Sequence, residues 1–134
     1  MIHNSKEEHD LYISQMISNL AHDEAAFNLD TRTPFADNHH AYAILLEELD
    51  ESIEALEMLK GNVEGLWKLV KRDYDQKEII KQLQRIETDC KFTIQEVVQV
   101  YAVAIKAVEQ LGGNRWIILV NAVLIIRTFA VGCA

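Results

Sequence analysis

HHAYAILLEELDESIEALEMLKGNVEGLWKLV, residues 39–70, carries apolar side chains at Tyr42, Leu46, Leu49, Ile53, Leu56, Leu59, Val63, Leu66 and Val70. Each step between them is three or four residues, the spacing of a helix that lays one stripe on a partner. Asp37 or Asn38 can cap its start by accepting a bond from an otherwise unpaired backbone N–H. Gly61-Asn62 interrupts the composition without breaking the phase, so a kink or a loosened turn is expected there. A second stretch, residues 76–111, repeats the pattern with Ile79, Leu83, Ile86, Cys90, Ile94, Val97, Tyr101, Ala104, Val108 and Leu111, and Gly112-Gly113 follows as a stop. Two long helices joined by a short turn at Tyr74–Gln76 pack antiparallel. The fold class is therefore all-α.

Outward from this hairpin, Leu11, Ile13, Met16, Ile17 and Leu20 make a rougher stripe that predicts a first helix from about Ser5 to Phe27. NLDTRTPFADN, residues 28–38, reads as the loop after it, with Thr33-Pro34 at its centre. One hairpin plus one helix leaves apolar surface uncovered, so a homo-oligomer forming a larger bundle is expected. Residues 1–111 thus form one helical domain, and residues 112–134 an apolar extension. NRWIILVNAVLIIRTFAVGCA, residues 114–134, has about the length of a membrane span, but Asn121 and Arg127 interrupt it. A strand or helix buried against the bundle or a second subunit is favoured over an anchor.

Composition excludes several classes. The 134 residues carry a net charge of −8, the wrong sign for a protein that neutralises the phosphates of a nucleic-acid polymer. A nucleotide carried in with a divalent cation remains compatible, because acids bind Mg²⁺. The two cysteines, Cys90 and Cys133, make no disulfide framework. The segment MIHNSKEEHD has no apolar signal region, so a cytoplasmic protein is expected.

The acids are the residues that suggest chemistry. Taking the stripe through Leu49 as the direction of the core, Glu47, Glu51 and Glu54 point away from it and Glu48 lies at its flank. On an isolated helix that is an ordinary solvated face. The second long helix changes the reading, because Val97, Val98, Val100, Tyr101 and Val103 make it apolar nearly all round, with Glu96 and Gln99 on one side. A carboxylate there is costly unless it is paired or binds a metal. Glu48/Glu51 and Glu96/Gln99 hold equivalent angular positions on their helices. Packing within the hairpin or across a dimer would set the pairs face to face, and facing carboxylates repel unless a cation lies between them.

HAYAILLEELDESIEALE followed by LW, and then IQEVVQVYAVAIKAVEQL, resembles the MazG-like all-α nucleoside triphosphate pyrophosphohydrolases over about residues 39–111. The closer likeness is to small MazG-like proteins of phages of Gram-positive bacteria and of their hosts. The family's EExxE motif corresponds to Glu47-Glu48-Leu49-Asp50-Glu51. Its ExxD motif corresponds to Glu96-Val97-Val98-Gln99, where glutamine replaces the aspartate. The resemblance implies hydrolysis of a nucleoside triphosphate to a monophosphate and pyrophosphate, with Mg²⁺ or Mn²⁺ as cofactor. It implies Glu48, Glu51 and Glu96 as metal ligands, with Gln99 as a neutral fourth, and Glu47 as a further ligand or the base that positions water. Lys106, on the same side of its helix as Gln99, is a candidate phosphate contact, and a solvated lysine is the plain alternative. The substitution at Gln99 keeps a second class open: a catalytically weak helical protein that binds a nucleotide or a regulatory protein. His39-His40 are expected in the first turn of the second helix, Trp67 in core or interface, and Cys90 as a buried thiol.

Overall fold

A computed structural model describes residues 5–112. It contains three helices and, among the described residues, no strand: α1 (Lys6–Thr31), α2 (Asn38–Lys71) and α3 (Gln76–Leu111). The apolar extension at 114–134, and Cys133 with it, lies outside the described residues.

Each helix starts on a side-chain cap. The Ser5 hydroxyl accepts from the Glu8 N–H at 3.2 Å, and Glu7 and Glu8 complement the positive end of α1. The Asp37 carboxylate accepts from the His40 N–H at 2.9 Å, and Asp75 accepts from the Lys77 N–H at 3.4 Å. The tight connection between α2 and α3 puts Asp73 at φ 48°, a left-handed conformation that aspartate tolerates better than most residues. Leu111 ends α3 as expected, but Gly112 remains right-handed, so its stop does not use glycine's access to positive φ.

Two boundaries differ from the sequence reading. α1 continues one turn past Phe27, because Asn28-Leu29-Asp30-Thr31 contains no breaker and the Thr31 hydroxyl donates back to the Phe27 carbonyl at 2.7 Å. The stop comes instead from Pro34, which disfavours helical backbone at Thr33. α2 runs unbroken through Gly61-Asn62. Asn62 is a connector: its side-chain amide donates to Asp89 at 2.6 Å, and Gln82 donates to both its carbonyl and its side-chain oxygen. Gly65 leaves the space this needs, since a Cβ there would meet the Gln82 amide nitrogen at 3.2 Å. Asn62→Ala is expected to cost about 1–3 kcal/mol by leaving the half-buried Asp89 carboxylate without its donor, while Gln82 keeps the backbone carbonyl at position 62. A lowered urea midpoint at unchanged slope would register that loss.

α2 and α3 form the antiparallel hairpin, and α1 packs on α3. The seam is not the stripe that periodicity selects. The side chains buried on α2 are Ala41, Ser52 and Ala55, while Leu49 and Ile53 remain 44 % and 45 % exposed. The exposed Tyr42, Ile53 and Leu56 each follow one of these buried residues by one position, about 100° around the helix. On α3, Gln82, Thr93, Ala102, Val103 and Lys106 are buried, and Ile94, Val97 and Tyr101 are exposed, so this helix is not apolar-buried all round. Small side chains let the backbones approach. Ser52 and Thr93 place their hydroxyls on carbonyls one turn back, at 2.9 Å and 2.8 Å, which removes them as unmet donors. The thiol of Cys90 is only partly buried, and Trp67 is exposed with the Lys71 ammonium 5.6 Å from its ring centroid.

The loop from Arg32 to Asp37 is tied to the C-terminal half of α3. The Phe35 N–H donates to the Gln110 side chain at 2.9 Å, and the Lys106 ammonium donates to the Thr33 carbonyl at 3.1 Å. Lys106 is therefore buried, at 3 % exposure, and is not a solvated lysine.

Candidate metal centre

Because the seam passes through the 48–52–55 face of α2, Glu48 turns toward α3 and meets Glu96. Glu51, one turn along α2 and exposed, completes a group of three carboxylates, each with an oxygen within 4.8 Å of the others. Burial of the Glu48 carboxyl is the largest influence pushing its pKa above the ordinary glutamate value. The neighbouring Glu51 adds to that rise, Arg32 opposes it, and Glu96 and Glu47 contribute further repulsion. The opposing charge is the Arg32 guanidinium, 3.7 Å from a Glu48 oxygen. Arg32 comes from the loop before α2, so the centre is built from three segments of chain.

The donor set fits a small hard cation. Mg²⁺ binds oxygens at about 2.1 Å in an octahedron, which sets its ligand oxygens roughly 3–4 Å apart. The three carboxylate oxygens lie within 4.8 Å of one another, a little wider than that range. Gln99 lies one turn along α3 from Glu96, and its side-chain oxygen is buried with no hydrogen-bond partner among the described residues. Buried polar atoms ordinarily have a partner, so this oxygen is an exception that calls for an explanation. Glu47 is exposed and outside the group of three.

His39 and His40 do sit in the first turn of α2 and face apart. His39 is exposed near Asp37, while the His40 ring accepts from the Ala36 N–H at 3.1 Å and meets the Phe35 ring edge-on. Lys106 points under the loop, over the Phe35 ring at 4.6 Å, and has no carboxylate partner among the described residues. Two residues here were not selected by the sequence reading. The sequence pattern puts Arg32 inside a loop and Asn28 at that loop's first position. The one signal for Asn28 is its spacing after Ala21 and Ala25, which continues the small-residue face on which α1 is buried. No protein-family model, curated protein or solved structure matches this chain.

Proposed function

We propose that the protein is a divalent-cation-dependent nucleotide pyrophosphohydrolase of the MazG-like all-α kind, cleaving a nucleoside triphosphate to a monophosphate and pyrophosphate. The observation that carries this reading is the convergence of Glu48, Glu51 and Glu96 from two long helices that also bear the EExxE and ExxQ spacings. Glu48, Glu51 and Glu96 hold the cation, and Gln99 offers a neutral oxygen. Bound there, Mg²⁺ or Mn²⁺ would offset the negative charge of the triphosphate and acidify a water. Glu47, exposed beside the cluster, accepts a proton from the attacking water. Arg32 pairs with Glu48 at 3.7 Å, and a cation held by the carboxylates would leave its guanidinium available to the phosphates. Such a substrate places the protein in the cytoplasm.

Pyrophosphate release over a panel of nucleoside triphosphates, with and without Mg²⁺, tests the proposal. Metal-dependent release that Glu96→Gln abolishes is the expected result. Absence of release with every nucleotide, alongside retained nucleotide binding, would move the assignment to the binding protein. Gln99 is the feature favouring that second reading, because a neutral side chain lowers the negative charge that attracts Mg²⁺. Gln99→Asp is accordingly expected to tighten Mg²⁺ binding while lowering the melting temperature of the metal-free protein, as an added buried charge must. Calorimetric titration and metal-free melting read the two halves separately.

The same proposal includes a second copy of the chain. Leu46, Leu49, Ile53, Leu56 and Val63 on α2, and Ile94, Val97 and Tyr101 on α3, are large, apolar and exposed. So many large exposed apolar side chains are unusual on a monomer and ordinary at a homodimer interface.

A further inference from the structure

Asn28 is the most deeply buried large side chain among the described residues, at 1 % exposure, and neither its amide nitrogen nor its amide oxygen has a hydrogen-bond partner there. A buried carboxamide with both ends unmet costs free energy in the free protein, and folded proteins rarely leave one without a reason. Asn28 lines a cleft of about 190 Å³ together with Arg32, Thr33, Phe35, His40, Ile44, Val103 and Lys106. Lys106 is the second anomaly in this cleft. Lysine is almost never fully buried without a partner charge, and burial, with the nearby Arg32 adding, pulls its pKa below the usual lysine range. Of its three donor hydrogens, one is used on the Thr33 carbonyl.

We propose that this cleft is the nucleobase pocket of the nucleotide site, and that Asn28 and Lys106 select a base that carries a carbonyl oxygen. The inference rests on the nucleotide reading and names the part of the substrate that the carboxylates do not touch. The volume fixes the size of the guest. Whole-ligand pockets run to roughly 300–1,000 Å³, whereas this one holds a handful of waters at about 30 Å³ each, which suits one ring system. Phe35, Ile44 and Val103 supply apolar walls for a ring.

The chemistry of the two anomalies fixes the class. A phosphate offers acceptors, so it would satisfy the Asn28 nitrogen and the Lys106 ammonium and leave the Asn28 oxygen unmet. A lactam edge satisfies all three: its C=O accepts from the carboxamide nitrogen, its N–H donates to the carboxamide oxygen, and Lys106 donates to an oxygen of the ring. The carboxamide alone could turn over to match the amino edge of adenine or cytosine. Lys106 narrows the choice, because an ammonium only donates: the carbonyl oxygens of uracil, guanine and cytosine accept from it, and adenine has none. Bases with a carbonyl oxygen therefore belong here, and adenine does not. Arg32 lines the cleft and also reaches Glu48, so the sugar and phosphates leave the pocket past its guanidinium toward the carboxylates.

Saturation-transfer NMR on the full chain without metal tests this, with uridine, guanosine, adenosine and cytidine as probes and sodium pyrophosphate as competitor. Uridine, cytidine and guanosine should bind at least tenfold tighter than adenosine, and pyrophosphate should not displace them. Asn28→Leu should lose all three while melting no lower than the parent, since an unmet carboxamide gives way to an apolar group of similar size. Asn28→Asp, which presents two acceptors, should lose uridine and keep guanosine, whose N–H and amino group both donate. Displacement by pyrophosphate would make Lys106 a phosphate contact and overturn the assignment. So would equal binding of all four nucleosides, no binding of any, or binding that survives Asn28→Leu. A rise in melting temperature with Mg²⁺ alongside no nucleoside binding would sink the base pocket and leave the metal centre standing. Nucleoside binding without any metal response would do the reverse.

Discussion

The melting temperature of the metal-free protein should rise by on the order of 10 °C when Mg²⁺ or Mn²⁺ reaches about a hundred times its dissociation constant. A ligand that binds only the folded chain stabilises it by roughly 2.7 kcal/mol at that excess, and a domain of this size gains several degrees per kcal/mol. Glu51→Gln and Glu96→Gln should each remove the rise, because each takes one of the three oxygens that lie within 4.8 Å of one another. The same substitutions should leave the metal-free protein as stable as the parent or more so. Glu48 shows why: its pKa is raised by burial and by Glu51, with Glu96 adding, so the ionised cluster opposes folding until a cation or a proton offsets it. The paired outcome distinguishes a binding site from an ordinary solvated face, where removing one acid changes neither quantity. Indifference to both metals would leave EELDE as the wet side of a helix.

The helices were legible because spacing is a one-dimensional signal. The three-and-four steps along residues 42–70 and 79–111 predict two long helices, and the structure has them at Asn38–Lys71 and Gln76–Leu111. Which face of each helix meets its neighbour was not legible. Periodicity selected Leu49, Ile53 and Leu56, yet the hairpin closes on Ser52 and Ala55 one position away, because the intrachain seam is chosen by how closely two backbones can approach. Side-chain hydrophobicity alone does not report that. The error carried a consequence for the acids. With Leu49 as the inward direction, Glu48 is a flank residue; with Ser52 inward, it lies in the seam opposite Glu96. The cleft was hidden for a different reason. Asn28 sits on α1, Arg32 and Phe35 on the loop and Lys106 on α3, and the packing of α1 on α3 with the hydrogen bonds from Lys106 to Thr33 and from Phe35 to Gln110 brings these segments together. No local pattern encodes a contact between residues more than seventy apart.

Light scattering of the wild-type protein at micromolar concentration should give a dimer or a larger closed assembly, and Leu49→Glu combined with Ile53→Glu should give a monomer with a markedly lower melting temperature. The buried side chains within one copy are mostly alanine, serine, threonine and valine, so the chain gains little apolar burial for the backbone it orders. The larger side chains that could make up the difference lie on the exposed stripe. A fully covered Leu or Ile is worth about 1.5–3 kcal/mol, and a half-exposed one still has about half of that to gain. Summed over the α2 stripe in two copies this amounts to several kcal/mol, enough to exceed the lower estimates of the cost of association, which start near 4 kcal/mol. A charged pair at positions 49 and 53 removes the middle of that surface and would desolvate two carboxylates per copy if the interface persisted. The stripe lies about 100° around α2 from the seam, so the test is independent of the metal centre. Glu51→Gln should change the response to Mg²⁺ without changing the mass, and the double variant should change the mass. A wild-type chain that scatters as a monomer across this range would show that the exposed stripe serves something other than a second copy.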